Sequence, residues 1–173
     1  MFNIGYAQEI ITPPTGVSLA GYFNKRPNEG MYDDLYVKVI VIECNGKTFG
    51  FMAFDLCSIH KLIFEELQKR ITEKFGAELH DSLILSATHT HTGSQFVSNA
   101  DDWDERTKYA FDETIDAAMR ALTRAMMNRL PDLQRAWQAV HHGASEGAHG
   151  GVDRFVERVF RPFVPFIWIC EEL

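Results

Sequence analysis

The spacing of apolar positions changes along the chain, and each change marks an element. Asn3 to Ile11 carries strand-forming residues, and the run "TPPTG" (Thr12–Gly16) must then turn. Proline fixes φ and has no N–H to give a ladder. Ser18 to Asp34, punctuated by Gly and Pro, reads as a long irregular loop, a length that is often functional in compact domains. "LYVKVIVIEC" (Leu35–Cys44) and "KTFGFMAFD" (Lys47–Asp55) read as strands joined at Asn45-Gly46. Asn-Gly is the strongest short hairpin signal, because a type I′ turn needs φ > 0 at both central residues. From Ser58 to Gly76, Ile59, Ile63, Leu67 and Ile71 recur every fourth residue beside Leu62, Phe64 and Phe75. That is the stripe of an amphipathic helix, with Ser58 as expected N-cap and Gly76 as expected stop. Leu83–Ala87 then reads as a buried strand. A second helix is expected over Asp104–Asn128, its stripe made by Phe111, Ile115, Met119 (with Ala118), Leu122 and Met126.

Strand, helix and strand in this order predict a right-handed crossover joining parallel neighbours. The expected class is α/β: a mixed β-sheet with a β-hairpin and a βαβ crossover, flanked by helices. Residues 1–130 are expected to form this region, and 131–173 a tail with no clear period. In a parallel pair the carboxyl ends point the same way, so Asp55 and the histidines after Ala87 should share one rim. Open α/β sheets put their ligand sites there.

Composition narrows the class. The chain has 173 residues, enough for one domain with a sizeable core. The formal net charge of −7 argues against a phosphate-backbone binder, which carries a basic face, so no nucleic-acid partner is expected. Three cysteines, Cys44, Cys57 and Cys170, are scattered without a CxxC, and a reducing compartment is the default. The opening lacks a basic segment followed by an apolar one, so a cytoplasmic location is expected, or a secreted one if the start was trimmed. No apolar run approaches a membrane span. The apolar tail "FVPFIWIC" suggests a contact with a missing domain or a second copy.

The chemistry concentrates in "ILSATHTHTGSQF" (Ile84–Phe96). In an extended segment His89 and His91 point to one side. Two imidazoles can then hold one metal, or one can hold metal while the other binds substrate; they can equally be polar loop residues. Asp55 closes an apolar strand and must be paired, hydrogen-bonded or on the rim. It reads either as an anchor for the helix that follows or as a carboxylate orienting a metal-bound histidine. Cys57 reads as a buried structural thiol, and His60 and His80 as surface residues. His141, His142 and His149 stand among Gly and Ser in sequence, and a solvated loop is expected there.

Four stretches together resemble the N-terminal catalytic domain of neutral/alkaline, non-lysosomal ceramidases: "GYAQEIITPPTGVSLAGY", "GMYDDLYVKVIVIECNG", "FGFMAFDLCSI" and "LSATHTHTG". The last is the most specific, being similar to that family's zinc-site signature. The resemblance runs from about Asn3 to Asn128. It implies zinc-dependent hydrolysis of the amide of an N-acylsphingosine, a lipid-like substrate, to a fatty acid and a sphingoid base. Carried over by motif, His89 is the zinc ligand and His91 contacts the substrate or its oxyanion; Asp55 supports catalysis, and Gly93, Ser94 and Tyr32 stand at the substrate. The family often has His where this chain has Tyr32, and Asp before the ITPP threonine where this chain has Ile11. Its further zinc ligands (a second His, a Glu and a Tyr) and an active-site Ser lie beyond the matched segment; "GGVD" (Gly150–Asp153) is a faint echo. The expected function is therefore a ceramidase-type amidohydrolase, incomplete as this chain. The alternatives are a non-catalytic remnant, or a hydrolase on another N-acyl or ester substrate that draws ligands from His141, His142 or His149.

Overall fold

The structure, a computed structural model, describes residues 2–96 and 100–129. The expectations placed on His141, His142, His149, Gly150–Asp153, Cys170 and the apolar tail fall outside the described residues. Four strands form one sheet in the order β1-β2-β3-β4: β1 (Phe2–Ile10), β2 (Tyr36–Cys44), β3 (Lys47–Phe54) and β4 (Leu83–Ala87). Helix α1 (Lys61–Phe75) and the short α2 (Ala77–Asp81) connect β3 to β4, and α3 (Glu105–Met127) ends the described part.

β1 and β2 pair antiparallel, as do β2 and β3, whereas β3 and β4 run parallel with Gly50 beside Leu83 and Phe54 beside Ala87. This is the expected mixed sheet. At the hairpin Asn45 and Gly46 both have positive φ, 51° and 76°, as a type I′ turn demands. The pleat sorts the side chains of β2 and β3. Val37, Val39 and Val41 face Phe54, Met52 and Gly50 across the ladder. These valines, with Met52 and Phe54, are fully buried in one cluster with Ile63, Leu67 and Ile71 of α1 and with α3.

Helix α3 buries Ile115, Ala118 and Leu122 of its expected stripe and adds a face of alanines to them. Ala110, Ala117, Ala118, Ala121 and Ala125 are fully or almost fully buried together with Ile115 and Leu122, while Phe111, Met119 and Met126 are only partly covered. The small face lets the helix lie close to β1. At Gly5 an added Cβ would stand 1.8 Å from the Ala125 carbonyl oxygen, so only glycine permits that approach. Glu9 of β1 pairs with Arg120 and Arg124 of the same helix.

Two boundary residues depart from expectation. The N-cap of α1 is His60, not Ser58: its extended backbone (φ −71°, ψ 150°) precedes the helix and its Nδ1 accepts from the Leu62 N–H. An imidazole nitrogen can replace the usual hydroxyl because it also offers a lone pair. His80 is buried rather than on the surface, 7% exposed, packed edge-on against the Phe64 ring and 3.0 Å from Asp81. Among the described residues no helix is long and apolar enough to cross a membrane.

The long loop is tied down. Asn28, 7% exposed, donates from Nδ2 to the Pro13 carbonyl at 2.8 Å, and its backbone exchanges hydrogen bonds with Gly16 and Val17. Leu19 bridges to Ser94. The loop therefore reaches the segment after β4 and closes one side of the rim.

The close approach at Gly5 makes a direct prediction. Gly5→Ala lowers the free energy of unfolding by about 2–3 kcal/mol in urea titrations, as overpacking against backbone requires. Gly46→Ala, with nothing within 4 Å of its added Cβ, loses only about 1 kcal/mol through its left-handed φ.

Candidate functional site

The site begins where two parallel strands stop. After Phe54 the chain continues through Asp55, Leu56 and Cys57; after Ala87 it continues through Thr88 and His89. Thr88 N–H donates to the Phe54 carbonyl at 3.0 Å, carrying the parallel ladder one step past the strands. His89 then departs from extended geometry, with φ at 62°. A bulky non-glycine residue in this region is uncommon and costs about 1–2 kcal/mol. Such positions cluster at functional sites, where surrounding contacts hold them.

Those contacts fix the imidazole. His89 Nδ1 lies 2.8 Å from the Cys57 carbonyl oxygen. A carbonyl only accepts, so the bond puts the proton on Nδ1 and leaves Nε2 with a free lone pair. His91 Nε2 stands 3.5 Å from His89 Nε2, the rings crossing at 75°. The Cys57 thiol is 3.7 Å from His89 Nδ1. Cys57, His89 and His91 each offer one donor atom, and all three lie within 4.8 Å of one another. His89 is exposed and the other two are half-buried, so the donors are open to solvent. Cys57 is thus no buried structural thiol: the reversal of the chain after Asp55 turns it toward the imidazole.

His91 is seated by the long loop. An added Cβ at Gly21, itself at φ +84°, would fall 2.5–2.7 Å from three atoms of the His91 ring. Tyr22 meets the same ring edge-on at 5.8 Å and is covered in turn by Arg26 at 4.7 Å. Ala20 N–H donates to the Gly93 carbonyl, and Gln95 N–H to the Ser18 carbonyl. Gly93 itself has no room for a side chain, with the Asp55 carbonyl 2.8 Å from where a Cβ would be.

Asp55 anchors rather than touches. Its Oδ2 accepts from the Tyr36 N–H at 2.9 Å and from Lys38 Nζ at 3.3 Å, and its Oδ1 accepts from the Thr88 hydroxyl at 3.1 Å. The carboxylate therefore clamps the start of β2 to the residue before His89, and its link to the imidazole runs through Thr88. Burial raises the pKa of the Tyr6 hydroxyl, and Tyr36 and Asp55 push it the same way. Tyr36 is raised too, by burial first and then by Asp34, Asp33 and Asp55. Both phenols stay neutral beside the carboxylate.

The rim thus gathers Asp55, His89, His91 and Gly93. Ser94 is buried at 4% exposure, and its hydroxyl has no hydrogen-bond partner among the described residues. Tyr32 lies fully exposed in the loop before β2, and no described contact joins it to the imidazoles. In sequence Cys57 reads as a structural thiol, and Gly21 and Tyr22 carry no site role. Gly21 is the discoverable one: a glycine before an aromatic in a long loop marks a possible close approach to another group.

No protein-family model matches the chain. Among solved structures, it is similar to neutral ceramidase from Pseudomonas aeruginosa, with a TM-score of 0.67, 22% identity and 75% of this chain covered. A ceramidase complexed with C2 is similar at a TM-score of 0.65 and 21% identity over 75% of the chain. The match spans only 22% of each of those chains. At this identity the likeness establishes the fold: residues of this chain adopt part of a ceramidase-like fold, and its α/β architecture is that of the matched region.

The strained backbone and the clamp are both testable by chemical denaturation. His89→Gly unfolds with about 1 kcal/mol more stability than His89→Ala, because glycine alone relaxes the positive φ; equal stabilities would remove the strain from the account. Asp55→Ala loses about 2–3 kcal/mol, since it removes the carboxylate that accepts from the Tyr36 N–H and the Thr88 hydroxyl.

Proposed function

We propose that this chain carries one corner of a zinc-dependent amidohydrolase site of the neutral ceramidase type, acting on the N-acyl bond of a lipid-like substrate such as an N-acylsphingosine. The observation that carries the reading is the hydrogen bond from His89 Nδ1 to the Cys57 carbonyl. It fixes the tautomer that a metal-ligating histidine needs, with the other nitrogen free and the ring held by a carbonyl acceptor. The residues therefore fit a zinc ion: His89 Nε2 would hold it, beside the donors of Cys57 and His91. Zinc supplies a lowered pKa for water and Lewis acidity toward a carbonyl.

The chain's own groups do the rest. Hydrolysis adds water across the amide: hydroxyl goes to the acyl carbon, the C–N bond breaks, and the nitrogen leaves with a proton. His91, 3.5 Å from His89 Nε2, is the group placed to give a hydrogen bond to the substrate carbonyl oxygen as negative charge develops there. Gly21 and Tyr22 keep its ring in place. Asp55 acts as a positioning residue, holding Thr88 and through it the backbone of His89. Gly93 and Ser94 would line the approach to the acyl group, and Tyr32, exposed in its loop, would meet the substrate's outer part.

The match to 22% of a ceramidase chain favours a second reading, in which the chain keeps this corner but not turnover. A third keeps the rim and changes the substrate to another N-acyl or ester compound. Purified chain should hold zinc near one ion per chain by atomic absorption, and His89→Ala should hold none; absence of zinc from the unmutated chain would sink the first reading. Release of a fluorescent fatty acid from an N-acylsphingosine, but not from an N-acyl amino acid, is expected, with a loss of roughly a hundredfold or more in His91→Ala. Zinc with no turnover of either substrate identifies the second reading, and turnover of the N-acyl amino acid alone the third.

A further inference from the structure

Cys57 takes no step in the hydrolysis above, although its thiol lies within 4.8 Å of a donor atom of each imidazole. We propose that Cys57 is itself a metal ligand, so that Cys57, His89 and His91 form a thiophilic divalent-cation site contained in this chain. The inference rests on His89 being a ligand, as argued above, and adds the sulfur. In the substrate-free chain His91 is the third donor.

Three features support the sulfur. One residue supplies both the carbonyl that orients His89, at 2.8 Å from Nδ1, and a thiol 3.7 Å from the same ring. The thiol therefore stands beside the ring that would hold the ion, on its Nδ1 side. The spacing also suits coordination. Bonds of about 2.0–2.1 Å to nitrogen and 2.3 Å to sulfur place tetrahedral ligands roughly 3.4–3.6 Å apart. The two Nε2 atoms already stand at 3.5 Å. All three donors fall within 4.8 Å of one another, and the thiol is half-buried. Finally, in the substrate-free chain three protein ligands leave a fourth tetrahedral position open to water.

A thiolate selects zinc and its chemical kin over magnesium and calcium, which prefer oxygen. Binding releases the thiol proton to solvent, and no oxidant or reductant takes part. The chain's partial match to longer proteins makes the point specific: the sulfur would give this segment a three-donor set from its own residues.

Cobalt(II) titrated into the metal-free chain under reducing conditions tests the assignment. One cobalt per chain and a thiolate-to-cobalt charge-transfer absorption in the near ultraviolet are expected. Cys57→Ser should remove that absorption and weaken binding by roughly tenfold or more, since even loss of a group that merely orients a ligand has that effect. On the unmutated chain, zinc should slow alkylation of Cys57 by iodoacetamide, read by peptide mass spectrometry; this does not depend on a variant folding. Absorption that persists in Cys57→Ser, or alkylation unaffected by zinc, overturns the proposal. Cobalt that binds equally to Cys57→Ser but not to His89→Ala overturns the sulfur ligand and leaves the proposed function standing. Failure of the unmutated chain to bind any cobalt overturns both.

Discussion

The parallel pairing of β3 with β4 governs everything at the rim. It brings two chain segments that leave the sheet in the same direction side by side, with Phe54 beside Ala87. One more backbone bond, Thr88 to Phe54, extends the register past the strands. Beyond that point the segments must diverge, and the divergence makes the site: one turns at Cys57 toward α1, the other turns at His89 through a left-handed backbone. The bond from His89 Nδ1 to the Cys57 carbonyl joins the two turns. An antiparallel β4 would carry its carboxyl end to the far edge and separate these residues.

Packing behind the sheet holds that register. The valines of β2, Met52 and Phe54 of β3, and the alanine face of α3 make a core in which sliding a strand by one residue would turn the buried side chains outward. Gly5 admits α3 against β1, and Asp55 ties β2 to the end of β4 through Tyr36, Lys38 and Thr88. The long loop supplies the second wall. Anchored by Asn28 and bridged from Leu19 to Ser94, it sets Gly21 against His91. Core, clamp and loop thus converge on two imidazoles that are 5.1 Å apart between ring centres.

Much of this was legible in the sequence, because the signals were local. Asn45-Gly46 specified its hairpin through backbone sterics, and the four-residue spacing of Ile63, Leu67 and Ile71 specified the face of α1. The crossover then followed from element order, and with it the shared rim of Asp55 and the histidines. The misreadings came from tertiary packing. Ile115 and Leu122 of the expected α3 stripe are fully buried, but Phe111, Met119 and Met126 are only partly covered, and the alanines take the place nearest Gly5, where small size is needed. His80 looked polar and external, but the short helix α2 before β4 sets it against Phe64. Cys57 and Gly21 gained their places only when segments 32 and 70 residues away in sequence reached them (His89 for the cysteine, His91 for the glycine), and no local pattern encodes such meetings.

The tautomer of the His89 ring decides whether its Nε2 is free to hold a metal. A long-range nitrogen–proton correlation spectrum of the isotopically labelled, metal-free chain reports which imidazole nitrogen carries the proton. The Cys57 carbonyl contact predicts His89 as the Nδ1–H form, with Nε2 unprotonated. An Nε2–H tautomer, or a freely exchanging ring, would contradict it.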